Sequence, residues 1–299
     1  MKVLECVPNF SEGRDTHIIN RLNQAASSVN GAKLLDTCAD ADHNRTVLTI
    51  IGEYTALLKS IMAACSEAVK LIDMRKHKGV HPRIGAVDVV PFIPLHGAAM
   101  ADAVKAAREF GKLFSEANNV PVFLYGEAAL DSCRRELPDL RRGGYEGIKE
   151  KLCDPCWKPD YGACELNEHS GATAVGAREA LVAFNINLDT GDLSIATEIA
   201  RTIRTANGGL PCLRAIGVPL ESRGVVQVSM NLLNYKVTSP VQAFLAVKEL
   251  ASRKGCPVLE SELVGLVPEA ALNQDIAHQI KLKDFSEERI LERRLDITE

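Results

Sequence analysis

Two histidines and four cations share nine consecutive residues, Arg75-Lys76-His77-Lys78-Gly79-Val80-His81-Pro82-Arg83, in a chain whose net charge is −4. An imidazole titrates near neutral pH, and fixed positive charges around it suit proton transfer on an anionic substrate. The plain alternative is a solvated basic turn, which is what most charge runs are. Gly79 and Pro82 restrict the backbone around His81, however, and an apolar strand follows directly over 86–94. A side chain at the lip of a buried strand is well placed to act on a ligand.

Three other polar groupings invite chemistry. Pro8-Asn9-Phe10-Ser11-Glu12-Gly13-Arg14 stands at the carboxyl end of a first strand, where open sheets bind ligands; its Pro, Asn and Gly content equally describes an ordinary turn, the reading its spacing favours. Asp40, Asp42, His43, Asn44 and Arg45 precede another strand. Asp and His at short spacing can ligate a metal, but no third and fourth ligand accompany them, so no metal site is expected. Arg45 could instead grip a substrate carboxylate through its planar fork. Cys153-Asp154-Pro155-Cys156, with Cys164 and His169 downstream, fits no standard zinc spacing and lacks a thioredoxin-type setting. No phosphate-binding glycine loop, dinucleotide fingerprint or serine-hydrolase elbow occurs.

The elements that must carry these groups alternate between strand and helix periods. Residues 3–7 read as a strand, a helical face follows from Ile18 to Val29, and 33–36 and 46–51 read as strands around the polar loop 40–45. A helix over 55–72 leads into the basic loop and the strand 86–94; a helix over 100–118 and a strand over 120–125 complete the block. Residues 127–173 read as helical pieces followed by a long irregular run, which Trp157 and Tyr161 argue is ordered. After Gly176 the pattern restarts: strand 181–188, helix 193–205, strands 213–218 and 225–232, a helix over 240–254 capped by Ser239, and strand 258–267. The tail 285–295 reads as a surface helix. The expected fold class is α/β, an α+β sandwich of two ferredoxin-like βαββαβ subdomains at 1–176 and 177–299, with a ligand groove between them. Asn185, Asn187, Gln227, Ser229 and Asn231 alternate with apolar residues, so two strands of the second sheet carry a polar row, suited either to solvent or to such a groove.

Composition narrows the classes. With 46% hydrophobic and 25% charged residues the chain is an ordinary globular one. Its acidic balance argues against a nucleic-acid partner, and no apolar run approaches a membrane span. Nine scattered cysteines, without an export signal at the N-terminus, suggest reduced thiols and a cytoplasmic location.

Six runs, taken in order, resemble the formiminotransferase family: V-P-N-F-S-E-G (7–13), N-R-T-V (44–47), L-I-D-M-x-x-H-K-G-x-H-P-R-x-G-A-x-D-V-x-P-F-I-P (71–94), Y-G-E-A-A (125–129), A-F-N-I-N-L (183–188) and L-V-G-L-V-P (263–268). The resemblance implies a cytoplasmic folate enzyme of histidine breakdown, usually a homodimer. It would move a formimino group between N-formimino-L-glutamate and N5 of tetrahydrofolate. Tetrahydrofolate serves as co-substrate with no tightly bound cofactor, and a cyclodeaminase activity is expected to be missing. The family's catalytic histidine falls on His81. Its folate-contacting segment falls on Gly162, Ala163, Cys164, Glu165, Leu166, Asn167, Glu168, His169, Ser170 and Gly171, whose side chains depart from vertebrate members at Cys164, Glu165 and Glu168. Cys38 stands where those members carry an aspartate thought to assist the histidine, leaving Asp36, Asp40 or Asp42 for that role.

Residue type and placement add Arg45 and Arg83, helped by Lys76 or Lys78, as holders of substrate carboxylates, and Asn9 and Asn44 as hydrogen-bond partners. The same pocket would serve formyl transfer from 5-formyltetrahydrofolate to glutamate, or folate binding without turnover. A zinc hydrolase built on His77, His81 and the aspartate loop is the remote option.

Overall fold

The computed structural model describes residues 2–295. They divide into two compact units, one ending at Arg178 and the other beginning at Glu179. Among the described residues no helix is long and apolar enough to cross a membrane.

The first unit is built on a central strand interrupted by proline. Strands β1 (Leu4–Cys6) and β2 (Asn9–Phe10) both pair with β4 (Arg45–Gly52) and with β5 (Val87–Pro94). Between them Pro8 has no N–H to donate, although its carbonyl still accepts from Leu48 N at 3.1 Å. The turn read over 8–14 therefore begins as strand. Outside β4 lies β3 (Ala32–Asp40), longer than the sequence suggested because its ladder with β4 runs on to Asp40↔Arg45. The spatial order β3, β4, β1/β2, β5 is that of a ferredoxin-like βαββαβ unit, antiparallel throughout. On the β5 side, β7 (Thr173–Ala177) and then β6 (Val122–Gly126) continue the sheet in parallel. The sequence reading assigns no strand between the irregular run ending at Thr173 and the restart after Gly176, where β7 lies.

Helices α1 (Thr16–Ser27), α2 (Tyr54–Leu71) and α3 (Met100–Asn118) cover one face. They bury Leu22, Leu57, Ile61, Phe110 and Phe114 against Leu4, Phe10, Leu48, Ile50 and Phe92. Asp15 starts α1 by accepting from His17 N (2.8 Å) and Ile18 N (3.3 Å), two of the otherwise unpaired first-turn donors. On the opposite face α4 (Leu137–Arg141) and α5 (Gly144–Lys151) bring Leu140 and Ile148 onto Val89, Phe123, Tyr125 and Ala174.

The second unit has the same connectivity. Strands β8 (Val182–Leu188), β9 (Leu213–Leu220), β10 (Val225–Leu232) and β11 (Val258–Val264) lie in the order β11-β8-β10-β9. Helices α6 (Leu193–Ile203) and α7 (Pro240–Arg253) pack on one face, over Phe184, Ile186, Val228 and Met230. Ser239 caps α7 with a reciprocal pair, Ser239 Oγ accepting from Gln242 N (3.3 Å) and Gln242 Oε1 from Ser239 N (2.9 Å). The other face carries the polar row: Asn185, Asn187 and Gln227 are buried, while Asn231 is exposed.

The tail departs from the expected surface helix. Only a 3-10 turn (Glu287–Arg289) and one helical turn, α9 (Leu291–Arg294), form; α8 (Gln274–Gln279) precedes them. Ile290 and Leu291 are buried, and Ile290 bridges Val267 in parallel. The Glu- and Arg-rich composition concealed two core residues.

Phe184 is fully enclosed in the second core. Phe184→Ala is expected to cost about 3–5 kcal/mol of stability, read as a lower urea midpoint.

Candidate active site

The chain around His81 has no regular structure, so other segments must hold it. The main support is the turn ahead of β4. There Asn44 adopts φ 48°, a left-handed conformation asparagine tolerates well. Its side-chain Oδ1 accepts from Gly13 N at 2.9 Å and its Nδ2 donates to the Lys78 carbonyl at 2.8 Å. Gly79 lies so close that a Cβ there would come within 2.5 Å of the His43 carbonyl oxygen. The basic loop therefore rests directly on the His43–Asn44 backbone.

The loop's two histidines differ in what their nitrogens do. His77 Nε2 donates to the Asn44 carbonyl (3.0 Å) and Nδ1 accepts from Arg83 Nε (3.1 Å), which commits both to structure. His81 Nε2 lies 2.7 Å from Arg45 Nη1. A guanidinium can only donate, so Nε2 is an acceptor and the ring proton sits on Nδ1. Burial first, then the positive charges of Arg45 and Arg141 and the neighbouring His43, hold His81 well below its ordinary 6.5. At neutral pH it is an uncharged imidazole, a base before it can be an acid.

Arg141, on α4, pairs with Asp88 on β5. Asp88 is buried and also takes Ile84 N at 2.9 Å. The sequence reading missed this pair, although an aspartate between Val87 and Val89 in an apolar strand is itself a signal. His43 was seen only as a weak metal ligand. It is 1% exposed, its Nδ1 lies 3.1 Å from Asp40 Oδ2, and its ring meets His81 edge-on with centroids 6.0 Å apart. Phe10, Ser11, His43, Asn44, Arg45, His77, His81, Arg83 and Asp88 together line one narrow recess.

The remaining expected residues are placed as follows. Arg83 lines the recess but gives both Nη atoms to Glu146 (2.8 and 2.7 Å). Asn9 turns its amide onto the Val7 carbonyl at 2.9 Å. Lys76 and Lys78 are exposed, Lys76 standing 3.6 Å from Asp73. Cys38 is half-buried on β3 opposite Val47. Of the three candidate aspartates, Asp40 reaches toward His81 through His43.

The segment from Gly162 to Gly171 joins the base of the loop around His81 at its far end. The Glu168, His169 and Ser170 carbonyls accept from Tyr145 OH (2.5 Å), Met74 N (2.8 Å) and Ala86 N (2.8 Å). Asn167 folds the turn, its Oδ1 taking His169 N and Ser170 N at 3.1 Å each while Nδ2 donates to the Asn119 carbonyl. Gly171 has φ 72°, and a Cβ on it would lie 2.3 Å from the Ile84 carbonyl oxygen. Gly162, Ala163, Cys164 and Glu165 are exposed, and Leu166 packs on the Phe123–Ile148 cluster. Among the described residues no three His, Cys, Asp or Glu side chains gather to hold a metal ion.

The recess can hold a carboxylate on Arg45 and exchange a proton at an adjacent imidazole. Comparison with known proteins supplies the chemical setting. Residues 3–178 match the family description "Formiminotransferase domain, N-terminal subdomain", and 183–294 match "Formiminotransferase domain". A glutamate formimidoyltransferase of Thermoplasma acidophilum is 41% identical over 99% of this chain and 98% of its own. One from Streptococcus pyogenes serotype M1 is 40% identical over 98% and 99%. The formimidoyltransferase-cyclodeaminase of Rattus norvegicus is 43% identical over 91% of this chain, which spans 51% of that protein.

Two outcomes follow from the geometry. Gly79→Ala should push the loop off the His43 carbonyl and lower turnover more than about tenfold, the scale of a displaced catalytic group, while circular dichroism stays native. His81 binds its proton less readily folded than unfolded, so its contribution to stability is intact above pH 6.5 and is lost as the pH falls toward its depressed value. Replacing it with Gln should flatten the stability–pH curve below 6.5, measured by urea unfolding at stepped pH.

Proposed function

The chain belongs to the formiminotransferase family, and from that premise we propose that it passes a formimino group between N-formimino-L-glutamate and N5 of tetrahydrofolate, with His81 as proton carrier. It is a one-carbon group-transferring enzyme, with folate as co-substrate. The place of such a reaction is the breakdown of histidine. Support for His81 in this role rests on one observation, the 2.7 Å approach of Arg45 to its Nε2.

The chemistry asks for two things. An amine adds to the formimino carbon, and the resulting tetrahedral centre collapses forward only when the departing nitrogen is protonated. Arg45 and His81 meet both demands in sequence. Unoccupied, Arg45 donates to Nε2 and keeps the imidazole neutral. A substrate carboxylate competes for the same fork and offers two charge-assisted hydrogen bonds in place of one neutral acceptor. When Arg45 turns to it, Nε2 is released and the positive charge that depressed the imidazole is neutralised. Proton affinity at His81 rises only with substrate in place, so binding and activation are one event.

Arg83 contributes by fixing His77 rather than by holding substrate while Glu146 occupies its fork. Asn44 and Asn9 act on backbone groups and set the shape of the recess. The segment 162–171 is the proposed folate contact; where its carbonyls are spent on the loop, exposed backbone at Gly162 to Glu165 remains for the ligand.

Formimino transfer from N-formimino-L-glutamate to tetrahydrofolate, followed spectrophotometrically, tests the reading. His81→Ala should lower kcat by about 10²–10⁴-fold with folate binding retained. Arg45→Ala should chiefly raise KM for the glutamate-bearing substrate. An inactive native chain rejects the reaction, and an active His81→Ala rejects the mechanism.

A further inference from the structure

Both ring nitrogens of His43 are buried without a hydrogen-bond partner, whereas His77 has spent both of its own. His43 Nε2 is buried and has no hydrogen-bond partner. Leaving a buried acceptor unpaired costs about 1–3 kcal/mol, so its retention calls for a reason. The opposite side of the ring is anchored. Asp40 accepts from the His43 backbone N–H through Oδ1 at 2.8 Å, and its Oδ2 stands 3.1 Å from Nδ1. That second approach is short but bent, and it acts through charge more than through a linear hydrogen bond. A carboxylate facing Nδ1 keeps the proton there and leaves Nε2 as a lone pair. Burial pushes the Asp40 carboxyl up, yet His43 holds it at about 2. An acid, an imidazole and a free lone pair in line form an activated base.

We propose that His43, oriented by Asp40, is the second proton carrier of the site, taking the proton from the attacking nitrogen while His81 serves the departing one. This step rests on the formimino-transfer reading. The attacking secondary amine forms a bond to the carbon of the protonated formimino group (an amidinium). The C=N electron pair moves onto its nitrogen and leaves it a neutral amine, and the N–H proton of the new ammonium passes to His43 Nε2. The bond from that carbon to the glutamate nitrogen then breaks with its pair going to nitrogen, which takes a proton from His81. The C=N bond reforms. The two rings hold one extra proton before transfer, on His81, two in the tetrahedral intermediate, and one after it, on His43; exchange with solvent resets them. The two rings line the same recess and stand edge-on, 6.0 Å between centroids.

The groups facing this pair are known: Asp40 from β3, Arg45 from β4, Asp88 from β5, Arg141 from α4, and His77 and Arg83 from the loop. All but Asp40 are held by contacts that neither variant below removes, so a change in pH dependence reports on the His43–Asp40 pair.

The test is the pH profile of kcat for the native chain, His43→Gln and Asp40→Asn, with melting temperature as the check on folding. Native turnover should be bell-shaped, His43 setting the low-pH limb because it must be unprotonated and His81 the high-pH limb. His43→Gln should lower kcat about 10²-fold or more and abolish the low-pH limb, with KM little changed. Asp40→Asn removes the charge that favours the imidazolium, so the low-pH limb should move to lower pH. A loss smaller than about tenfold with an unaltered limb in His43→Gln overturns the proposal. If that variant does not fold, an unmoved limb in Asp40→Asn, a partly exposed side chain, overturns it alone. A native chain with no formimino transfer overturns the functional reading and this step with it; an active one with unchanged variants overturns this step only.

Discussion

Everything about the site hangs on the side-chain amide of Asn44. With one end on Gly13 N and the other on the Lys78 carbonyl, it ties the turn after the central strand to the basic loop. Its own carbonyl takes His77 Nε2 at 3.0 Å. Its left-handed backbone turns the chain so that His43 and Arg45, on either side of it, both reach the recess. No apolar contact could do this, because three irregular segments meet there and each brings unpaired backbone groups that need partners. A single amide with a donor end and an acceptor end meets that need, and the loop follows its placement.

The electrostatics then explain why so basic a segment can host a neutral base. Most of the loop's charge is neutralised locally: Arg75 and Lys76 turn to Asp73, Arg83 to Glu146, and Arg141 to Asp88. Burial lowers the proton affinity of His81 most, followed by Arg45, Arg141 and His43, and of these charges Arg45 is the one in contact. Its effect is large because the guanidinium touches the ring nitrogen directly in a half-buried setting, where screening is weak. A resting histidine of ordinary proton affinity would be partly charged at pH 7 and repelled by Arg45. The observed arrangement avoids that repulsion by keeping the imidazole neutral.

How far the sequence spoke for itself depends on the kind of signal. Strand and helix periods placed α3 and β10 to the residue, and Pro240 after Ser239 located the start of α7. Short or atypical pieces escaped: β2 hides in a Pro/Asn/Gly turn, β7 in Thr173-Ala-Val-Gly-Ala with few β-formers, and Ile290 and Leu291 among Glu and Arg. At the site, the motif around His81 marked a candidate, but spacing could not say which of His77 and His81 keeps a nitrogen for chemistry. That distinction rests on two contacts across more than thirty positions of chain, Asn44 to His77 and Arg45 to His81. Asp88 stands in the run 71–94, but Arg141 belongs to no motif. Their pairing joins a strand to a helix more than fifty residues on, and only the folded chain brings them together.

The second unit shows why proton chemistry is assigned to the first although the strand order is shared. Its buried polar row is also a network. Gln227 Nε2 donates to Asn187 Oδ1 (2.9 Å), Asn187 Nδ2 to Glu260 (3.1 Å) and Glu262 (2.7 Å), and Arg223 closes it on both carboxylates. Such a network is rigid once its members are paired, but it holds amides, carboxylates and a guanidinium. Burial pushes Glu260 up, yet Arg223 and Asn187 bring it below its ordinary 4.5, so it stays ionised at neutral pH. Amides do not titrate and Arg223 does not let go of its proton. The face can orient N–H donors, and it has no group that changes charge near pH 7. The first unit places three imidazoles in one recess, and two of them, His43 and His81, stand beside a carboxylate and a guanidinium respectively. A transfer that must take a proton from one nitrogen and give it to another can be carried out only where such groups stand.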